Sequence, residues 1–567
     1  MKRLRRHLEE KAAAALAGMG AAGAELSAEA PRDLAFGDAA LACFPLAKVL
    51  RKSPAAVASD LAERIEPDQV IESVEAAGPY VNVRFRFSVM ASSVLGGVLE
   101  GRPPYGPSPE TGKTVVIDYS SPNIAKPFSV GLIRTTVIGA ALYRIYGHAG
   151  WKTVGINHLG DWGSQFGKVL AALERWGSKE ELRRNPIRHT LELYVRYHQE
   201  EQDDPALAER AREIFRKLEE GDPQVRAQWK EITELSLREF QKTYDRLGIR
   251  FDLVQGESFY EPYLEETIRR VREAGITEIS EGALVVRLGE GDEPPCLLRK
   301  SDGTTLYLTR DLAAVFHRWE RYRFHRCLYV VGAEQKLHFR QLKGVLRKMG
   351  LDWWDRIEHV PFGLIRFKDG RMSTRHGKVV FLDEVLDRAV EKVREIIEEK
   401  NPHLPDPDGV AEAVGVGAVV FNDLKNSRIK DVKFDLAEML NFEGETGPYV
   451  QYAGARLSGI LRKAAREGLE PADPGEDLSL LADAREVVHA LGSWGDVLER
   501  ALRENEPSQV TGYTVRLARS VHSYLHDHRV LGVEAPLSRA RLLLVAAARR
   551  QLERGLGLIG VACPEEM

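Results

Sequence analysis

Apolar and polar positions change period along the chain and divide it into regions. Residues 1 to about 108 open with a helical run, pass through Gly37-Asp-Ala-Ala-Leu-Ala42 and reach Tyr80-Val-Asn-Val-Arg-Phe-Arg-Phe87, whose strict alternation predicts a half-buried strand. That pattern describes a small α+β domain, closed by the Pro/Gly-rich Gly101-Arg-Pro-Pro-Tyr-Gly-Pro107. From residue 113, Lys-Thr-Val-Val-Ile-Asp118 predicts a strand, 131–146 a helix and Lys152-Thr-Val-Gly-Ile-Asn157 a second strand; this β-α-β order implies a right-handed crossover and a parallel sheet. Residues 170–245 are charged, helical in period and lack strand turns, which predicts a helical insertion. Strands are expected again at Phe251-Asp-Leu-Val254, Ala283-Leu-Val-Val-Arg-Leu288, Thr305-Leu-Tyr-Leu308 and Cys327-Leu-Tyr-Val-Val331, with helices between. After about residue 436 strand signals stop and amphipathic helices run to the end, as in a helical bundle. The expected fold class is therefore multidomain α/β: an α+β domain over 1–108, a doubly wound, Rossmann-like parallel-sheet domain over 113–355 with its insertion, a loop and stem region over 356–435, and an all-α domain over 436–567.

A chain of 567 residues is too long for one core, in keeping with three or four units. The net charge of −4 gives no overall attraction to nucleic acid, so any RNA contact has to be local. One such bias lies in residues 511–567, which hold eight arginines against five acids and no lysine. Cys43, Cys296, Cys327 and Cys563 have no paired spacing, which argues against a zinc knuckle or a disulfide framework and for a reducing compartment. The basic start is followed by Glu9, Glu10 and an alanine-rich helix rather than an apolar signal core. No stretch approaches the roughly 18 apolar residues of a membrane span. Both features favour a cytoplasmic protein.

Four segments carry candidate chemistry. Between Asp118 and Arg134 a strand breaks at Pro122 and reopens as a helix around Gly131, where free backbone N–H groups hold phosphates. Glu257 in Gln255-Gly-Glu-Ser258, Asp311 four residues after Tyr307, and Gln335 in Val330-Val-Gly-Ala-Glu-Gln335 fall at or just beyond the carboxyl ends of expected strands, the edge where open α/β sheets bind ligands. Carboxylates there suit a guanidinium, whose planar donors match them bidentately. Ile156-Asn-His-Leu-Gly-Asp-Trp-Gly-Ser-Gln-Phe-Gly167 packs His158, Gly160, Asp161, Trp162 and Gln165 into a glycine-rich turn; its plain alternative is a tight turn capped by Asp161 with Trp162 closing the core. Arg371-Met-Ser-Thr-Arg-His-Gly-Lys378 is a basic loop between expected strands at Phe362-Gly-Leu-Ile-Arg-Phe367 and Val379-Val-Phe381. In the last third, Tyr449, Tyr452 and Arg456 share one helix face, as do Tyr524 and His528; such stripes are core elsewhere, but RNA loops also stack their bases on aromatics.

Ser120-Ser-Pro-Asn-Ile-Ala-Lys-Pro-Phe128 resembles the form of the first class I signature that arginyl-tRNA synthetases carry, and the resemblance extends to the ending Leu556-Gly-Leu-Ile-Gly-Val-Ala-Cys-Pro-Glu-Glu-Met567. It implies ligation of L-arginine to its tRNA through arginyl-adenylate, with ATP entering together with Mg2+, no protein metal ligand, a bound tRNA for the first step, and a monomer. It implies that Tyr307, Asp311 and Gln335 grip the arginine side chain, with Glu257 a further carboxylate, and that Asn123 holds its backbone. Lys126, Ser129 and Gly131 are expected at the ATP and the reacting centre, with His158, Gly160, Asp161 and Met372 around the nucleotide. Arg371, Ser373 and Arg375 belong to what looks like the mobile second signature. Tyr449, Tyr452, Arg456, Tyr524, His528 and Met567 are the expected tRNA contacts, and the amino-terminal domain is expected to touch the tRNA corner. Two departures stand out: the family's two signature histidines are Ser129 and Leu132 here, and arginines stand in for the loop lysines. These departures define a rival, an adenylation-deficient paralogue that binds arginine or tRNA as a sensor or accessory protein.

Overall fold

The computed structural model describes residues 1–289, 294–367 and 380–567. The amino-terminal region forms β1 (Ala28–Glu29), β2 (Ala39–Ala42), β3 (Ile71–Ala77) and β4 (Tyr80–Phe85), an antiparallel sheet in the order β1-β2-β4-β3. In the helix Lys2–Gly18, Leu4, Leu8, Ala12 and Leu16 recur every fourth residue and are the buried face. The domain rests on the carboxy-terminal helices through Asp38, which is fully buried and accepts from Phe85 N (2.7 Å), Arg485 Nη1 (2.6 Å) and His489 Nε2 (2.7 Å).

The central sheet consists of β5 (Thr114–Asp118), β6 (Lys152–Asn157) and β7 (Leu253–Val254), continued after an excursion described below, and the helix Ile133–His148 makes the crossover from β5 to β6. The excursion is a small antiparallel sheet of β8 (Thr277–Ser280), β9 (Ala283–Val286) and β10 (Cys296–Arg299), in the order β10-β9-β8. The central sheet resumes with β11 (Arg326–Gly332) and β12 (Ile357–Phe362), giving the parallel order β12-β11-β5-β6-β7. Two sequence expectations are corrected here. The strand at 283–288 exists but pairs in the small sheet, not the central one. Thr305-Leu-Tyr-Leu308 is no strand: Thr305 makes a single bridge to Arg299, and Tyr307 opens the helix Tyr307–Tyr322. Leu308, Leu312, Val315 and Phe316 bury one face of that helix, a period that outweighs the short β-like tetrapeptide. In addition, β12 lies beyond residue 355, in the stretch expected to be loop and stem.

The insertion is all-helical, in Gln165–Trp176, Lys179–Arg184, Pro186–Glu200, Pro205–Glu220 and Pro223–Arg246. Proline opens three of these helices, and Asp222 caps the last by accepting from Gln224 N and Val225 N. Beyond the helices Leu382–Lys400 and Pro407–Leu424, β13 (Ile365–Phe367) pairs in parallel with β14 (Val432–Phe434), and the rest of the chain is helical. Among the described residues no helix is long and apolar enough to cross a membrane.

Candidate active site

The sheet order reverses between β5 and β11, and the carboxyl ends of these strands face the crevice where doubly wound sheets bind ligands. β5 delivers Asn123, β6 delivers His158 and Gly160, β7 delivers Glu257, and β11 delivers Gln335 in the turn Ala333–Gln335. Tyr307 and Asp311 stand one turn apart at the start of their helix, where a strand is expected to carry Tyr307.

The β5 turn is shaped by backbone that side chains disfavour: Ser120 (φ 71°), Ser121 (φ 49°) and Ala125 (φ 62°) are all left-handed. Ser120 N donates to Thr135 Oγ1 (3.1 Å), Ser120 Oγ lies 2.9 Å from Thr136 Oγ1 and 2.8 Å from Tyr244 OH, and Ser121 N donates to Asn157 Oδ1 (3.1 Å). The turn is tied to the glycine-rich segment by Gly160 N to Pro122 O (3.1 Å) and Ile124 N to Gly160 O (3.0 Å). A Cβ at Gly160 would meet Asn123 Oδ1 at 2.3 Å, so any other residue there would push the Asn123 side chain out of its present position.

Asp161 is buried, and both of its oxygens serve Ser258: Oδ1 accepts from Ser258 N (2.9 Å) and Oδ2 from Ser258 Oγ (2.6 Å). It fixes the turn Glu257–Tyr263 and so places Glu257, while Trp162 packs against Phe215 and Trp229. Burial pushes the Asp161 carboxyl up. His158 lies over Tyr260 with ring centroids 5.5 Å apart; its Nδ1 has no hydrogen bond, and burial depresses its pKa, keeping the ring neutral. Glu257 Oε2 is buried without a hydrogen-bond partner, and burial raises the carboxyl to about 7, a shift that nearby Arg310 opposes and Asp311 reinforces. Asp311 Oδ2 lies 2.5 Å from His338 Nε2, leaving its other oxygen for a ligand. Tyr307 is 68% exposed at the mouth, and Asn123 and Gln335 are also exposed.

The turn after β5 ends in the 3-10 segment Val130–Leu132, entered from Ser129, whose hydroxyl makes no capping bond. Ser129 bridges Phe381, Val130 N donates to Val380 O (3.1 Å) and Leu382 N to Phe128 O (2.9 Å). This single bridge is all that the described residues show of the strand expected at 379–381. Gly131 is exposed, Lys126 is half-buried, and Leu132 is half-buried against the apolar core. Arg371, Met372, Ser373 and Arg375 lie outside the described residues.

In the helical domain, the helix Gly447–Arg466 presents Tyr449, Tyr452 and Arg456 around His522, a residue the sequence reading missed. The His522 ring is stacked on Tyr452 (6.1 Å, 17°), lies 5.1 Å from Tyr449, and its Nδ1 is 3.3 Å from Arg456 Nη1; Tyr452 is 46% exposed. Tyr524 and His528 stack at 4.4 Å, but Tyr524 is buried and its hydroxyl donates to Asp483 Oδ1 (3.1 Å), so this pair joins helices rather than offering an open ring. The Met567 carbonyl accepts from Asn401 Nδ2 (3.2 Å). Arg318 was also missed, although a cation two turns beyond Asp311 on an apolar helix face is a legible sign of a buried pair.

A parallel sheet with its ligand residues at a switch point, a signature turn and a helical insertion define a class I aminoacyl-tRNA synthetase catalytic unit. Residues 98–436 match the family model "tRNA synthetases class I (R), catalytic domain", 2–85 the arginyl tRNA synthetase N terminal domain and 450–567 the DALR anticodon binding domain. The chain belongs to the arginyl-tRNA synthetase family. It is 47% identical over 540 residues to an arginine--tRNA ligase of Exiguobacterium sibiricum and 46% identical over 542 residues to one of Clostridioides difficile, covering 95% of each chain in both cases. The solved arginyl-tRNA synthetase of Thermus thermophilus superposes with a TM-score of 0.85 at 28% identity, covering 99% of this chain and 100% of that one. That of Plasmodium falciparum shares the fold at 21% identity with a TM-score of 0.82, covering 99% of each.

Proposed function

We propose that the protein ligates L-arginine to its tRNA in two steps. An oxygen of the arginine carboxylate attacks the α-phosphorus of ATP; the new P–O bond gives arginyl-adenylate as the bond to pyrophosphate breaks. The terminal adenosine hydroxyl of the tRNA then attacks the adenylate carbonyl, and AMP leaves. The observation that carries this reading is the buried, unpaired Oε2 of Glu257 near the partly exposed carboxylate of Asp311, because acceptors left open in this way suit a planar cation and penalise ligands that satisfy them less well.

In this reading Asp311 and Glu257 take the guanidinium, Tyr307 and Gln335 close over it, and Asn123 holds the amino-acid backbone. Lys126, Ser129 and the backbone at Gly131 stabilise charge on the phosphates, with His158, Gly160 and Asp161 shaping the nucleotide side and Arg371, Met372, Ser373 and Arg375 completing it. Magnesium enters as part of the ATP substrate, held by its phosphate oxygens. Positioning and electrostatics supply the rate, since no side-chain nucleophile is required. Tyr449, Tyr452 and Arg456 contact the anticodon loop, with Tyr524, His528 and Met567 supporting that surface. A single chain contains every part of this site, in keeping with a monomer, and four free cysteines suit a reducing, cytoplasmic setting. The test is ATP–pyrophosphate exchange with L-arginine, with and without tRNA bearing an arginine anticodon. Exchange that appears with tRNA supports the reading; none under either condition, with tRNA still bound, overturns it.

A further inference from the structure

Arg318 cannot reach a substrate: it is 0% exposed, in the middle of the helix Tyr307–Tyr322. Its Nη2 donates to Asp118 Oδ2 at 2.7 Å, its guanidinium carbon lies 5.1 Å from the centroid of the Tyr329 ring, and Nε and Nη1 are buried without hydrogen bonds. A buried ion pair is poor evidence for a stability role, because two ions lose their hydration and well-packed apolar residues often do as well. Its position is more informative. Arg318 is two helical turns below Asp311 on the same helix, and Asp118 is the last residue of β5. The pair therefore joins the element that presents Asp311 to the strand that leads into Asn123.

The other Asp118 oxygen accepts from Ser121 Oγ at 2.9 Å. Ser121 and its neighbour Ser120 are left-handed residues with side chains, a conformation that persists only when the surroundings impose it. Ser120 is held by Thr135, Thr136 and Tyr244; the Ser121 side chain is held by Asp118. Arg318, Asp118 and Ser121 thus form a continuous chain of contacts ending two residues before Asn123.

We propose that Arg318 and Asp118 are positioning residues for adenylation, which hold the Ser120–Ser121 turn and so set Asn123 and Asp311 in register on the same arginine molecule. The inference rests on Asn123 serving the amino acid. The experiment is pyrophosphate exchange by the full-length chain in the presence of tRNA, with separate KM values for arginine and ATP, tRNA Kd and Tm, for Arg318→Met, Asp118→Asn, Ser121→Ala, Asn123→Ala and the double variant Arg318→Met/Asn123→Ala. Arg318→Met and Asp118→Asn are expected to lower kcat/KM for arginine about 10- to 100-fold, and Ser121→Ala severalfold, with ATP KM and tRNA Kd little changed. The double variant should lose scarcely more than the worse single variant, because both act on one group. Additive losses, or equal losses in arginine, ATP and tRNA binding together with a fallen Tm, would overturn the proposal. If Arg318→Met does not fold, Ser121→Ala, which removes one hydroxyl, decides: full activity with unchanged arginine KM would overturn it. An Asn123→Ala variant with unaltered arginine KM would instead remove the reading of Asn123 on which the proposal stands.

Discussion

The proposed amino-acid side of the site presents Asp311, Glu257, Asn123 and Gln335 from four separate elements, whereas the proposed phosphate side presents a short turn, Ser129–Leu132, whose side chains offer a single hydroxyl. On the first side Glu257 Oε2 is buried without a hydrogen-bond partner. On the second, Leu132 packs half-buried against the apolar core, and the turn is fixed by backbone bonds to Val380–Leu382. In the proposed function, recognition of arginine therefore rests on side chains, and phosphate binding at the turn on backbone, Lys126 and one serine. Side-chain sites are sensitive to single substitutions in a way that backbone sites are not.

The largest expected effect is therefore on the amino-acid side. Asp311→Ala should lower kcat/KM for arginine by about 100-fold or more, since it removes a carboxylate partner of the guanidinium. Steady-state exchange kinetics check this, and an unchanged arginine KM would show that the carboxylates are not the recognition element. Ser129→Ala should lower kcat by about 10- to 100-fold with arginine KM unchanged, if its hydroxyl is the turn's remaining side-chain donor to charge developing at the α-phosphate. No change would place the whole of phosphate binding on backbone and lysine, making the contrast between the two sides sharper still.

A smaller effect, opposite in sign, is expected at the neighbouring position. Leu132→His should raise kcat up to about tenfold by restoring a donor, while lowering stability by about 1 kcal/mol as an imidazole replaces apolar packing. Paired single-turnover and thermal-unfolding measurements would show both, and a falling kcat would mean that Leu132 packing shapes the turn. The smallest effect is a pH dependence. Glu257 titrates at about 7 in the free protein, so below that pH arginine has to displace a proton, and affinity should rise severalfold from about pH 6 to about pH 8 and then level off. Glu257→Gln should flatten this profile in calorimetry. Because the folded chain binds this proton more tightly than the unfolded chain, the same group opposes folding increasingly as pH rises from its ordinary range through 7.

Much of this was legible in the sequence. The strand expected at 80–87 appears at Tyr80–Phe85, with Phe87 opening the next helix, and the β-α-β unit from 114 to 157 and the helical period of the insertion appear where the pattern puts them, because strands and helices with one buried face write that face into the spacing of their apolar residues. Thr305-Leu-Tyr-Leu308 misled because four residues are too few to separate period 2 from a helix start, and the deciding residues, Leu312 to Phe316, lie downstream. The segment 283–288 was recognised as a strand but assigned to the wrong sheet, since spacing specifies which face is apolar and not which neighbour pairs with it. At the candidate site, motifs offered residue identities but not their partners: Asp161 is engaged by Ser258, and Tyr524 by Asp483, through contacts spanning tens of residues along the chain.

The sequence by itself determined most of the elements, the order of the domains and the candidates for meeting the substrates, because periodicity and motif spacing are local properties of the chain. The tertiary structure decided which of those residues are free. That Glu257 keeps an unpaired oxygen, that Leu132 is spent on packing, and that Arg318 reaches back to Asp118 across 200 residues all depend on which distant segments share a buried volume, where an unpaired charge or polar atom is costly and each partner is set by the whole fold.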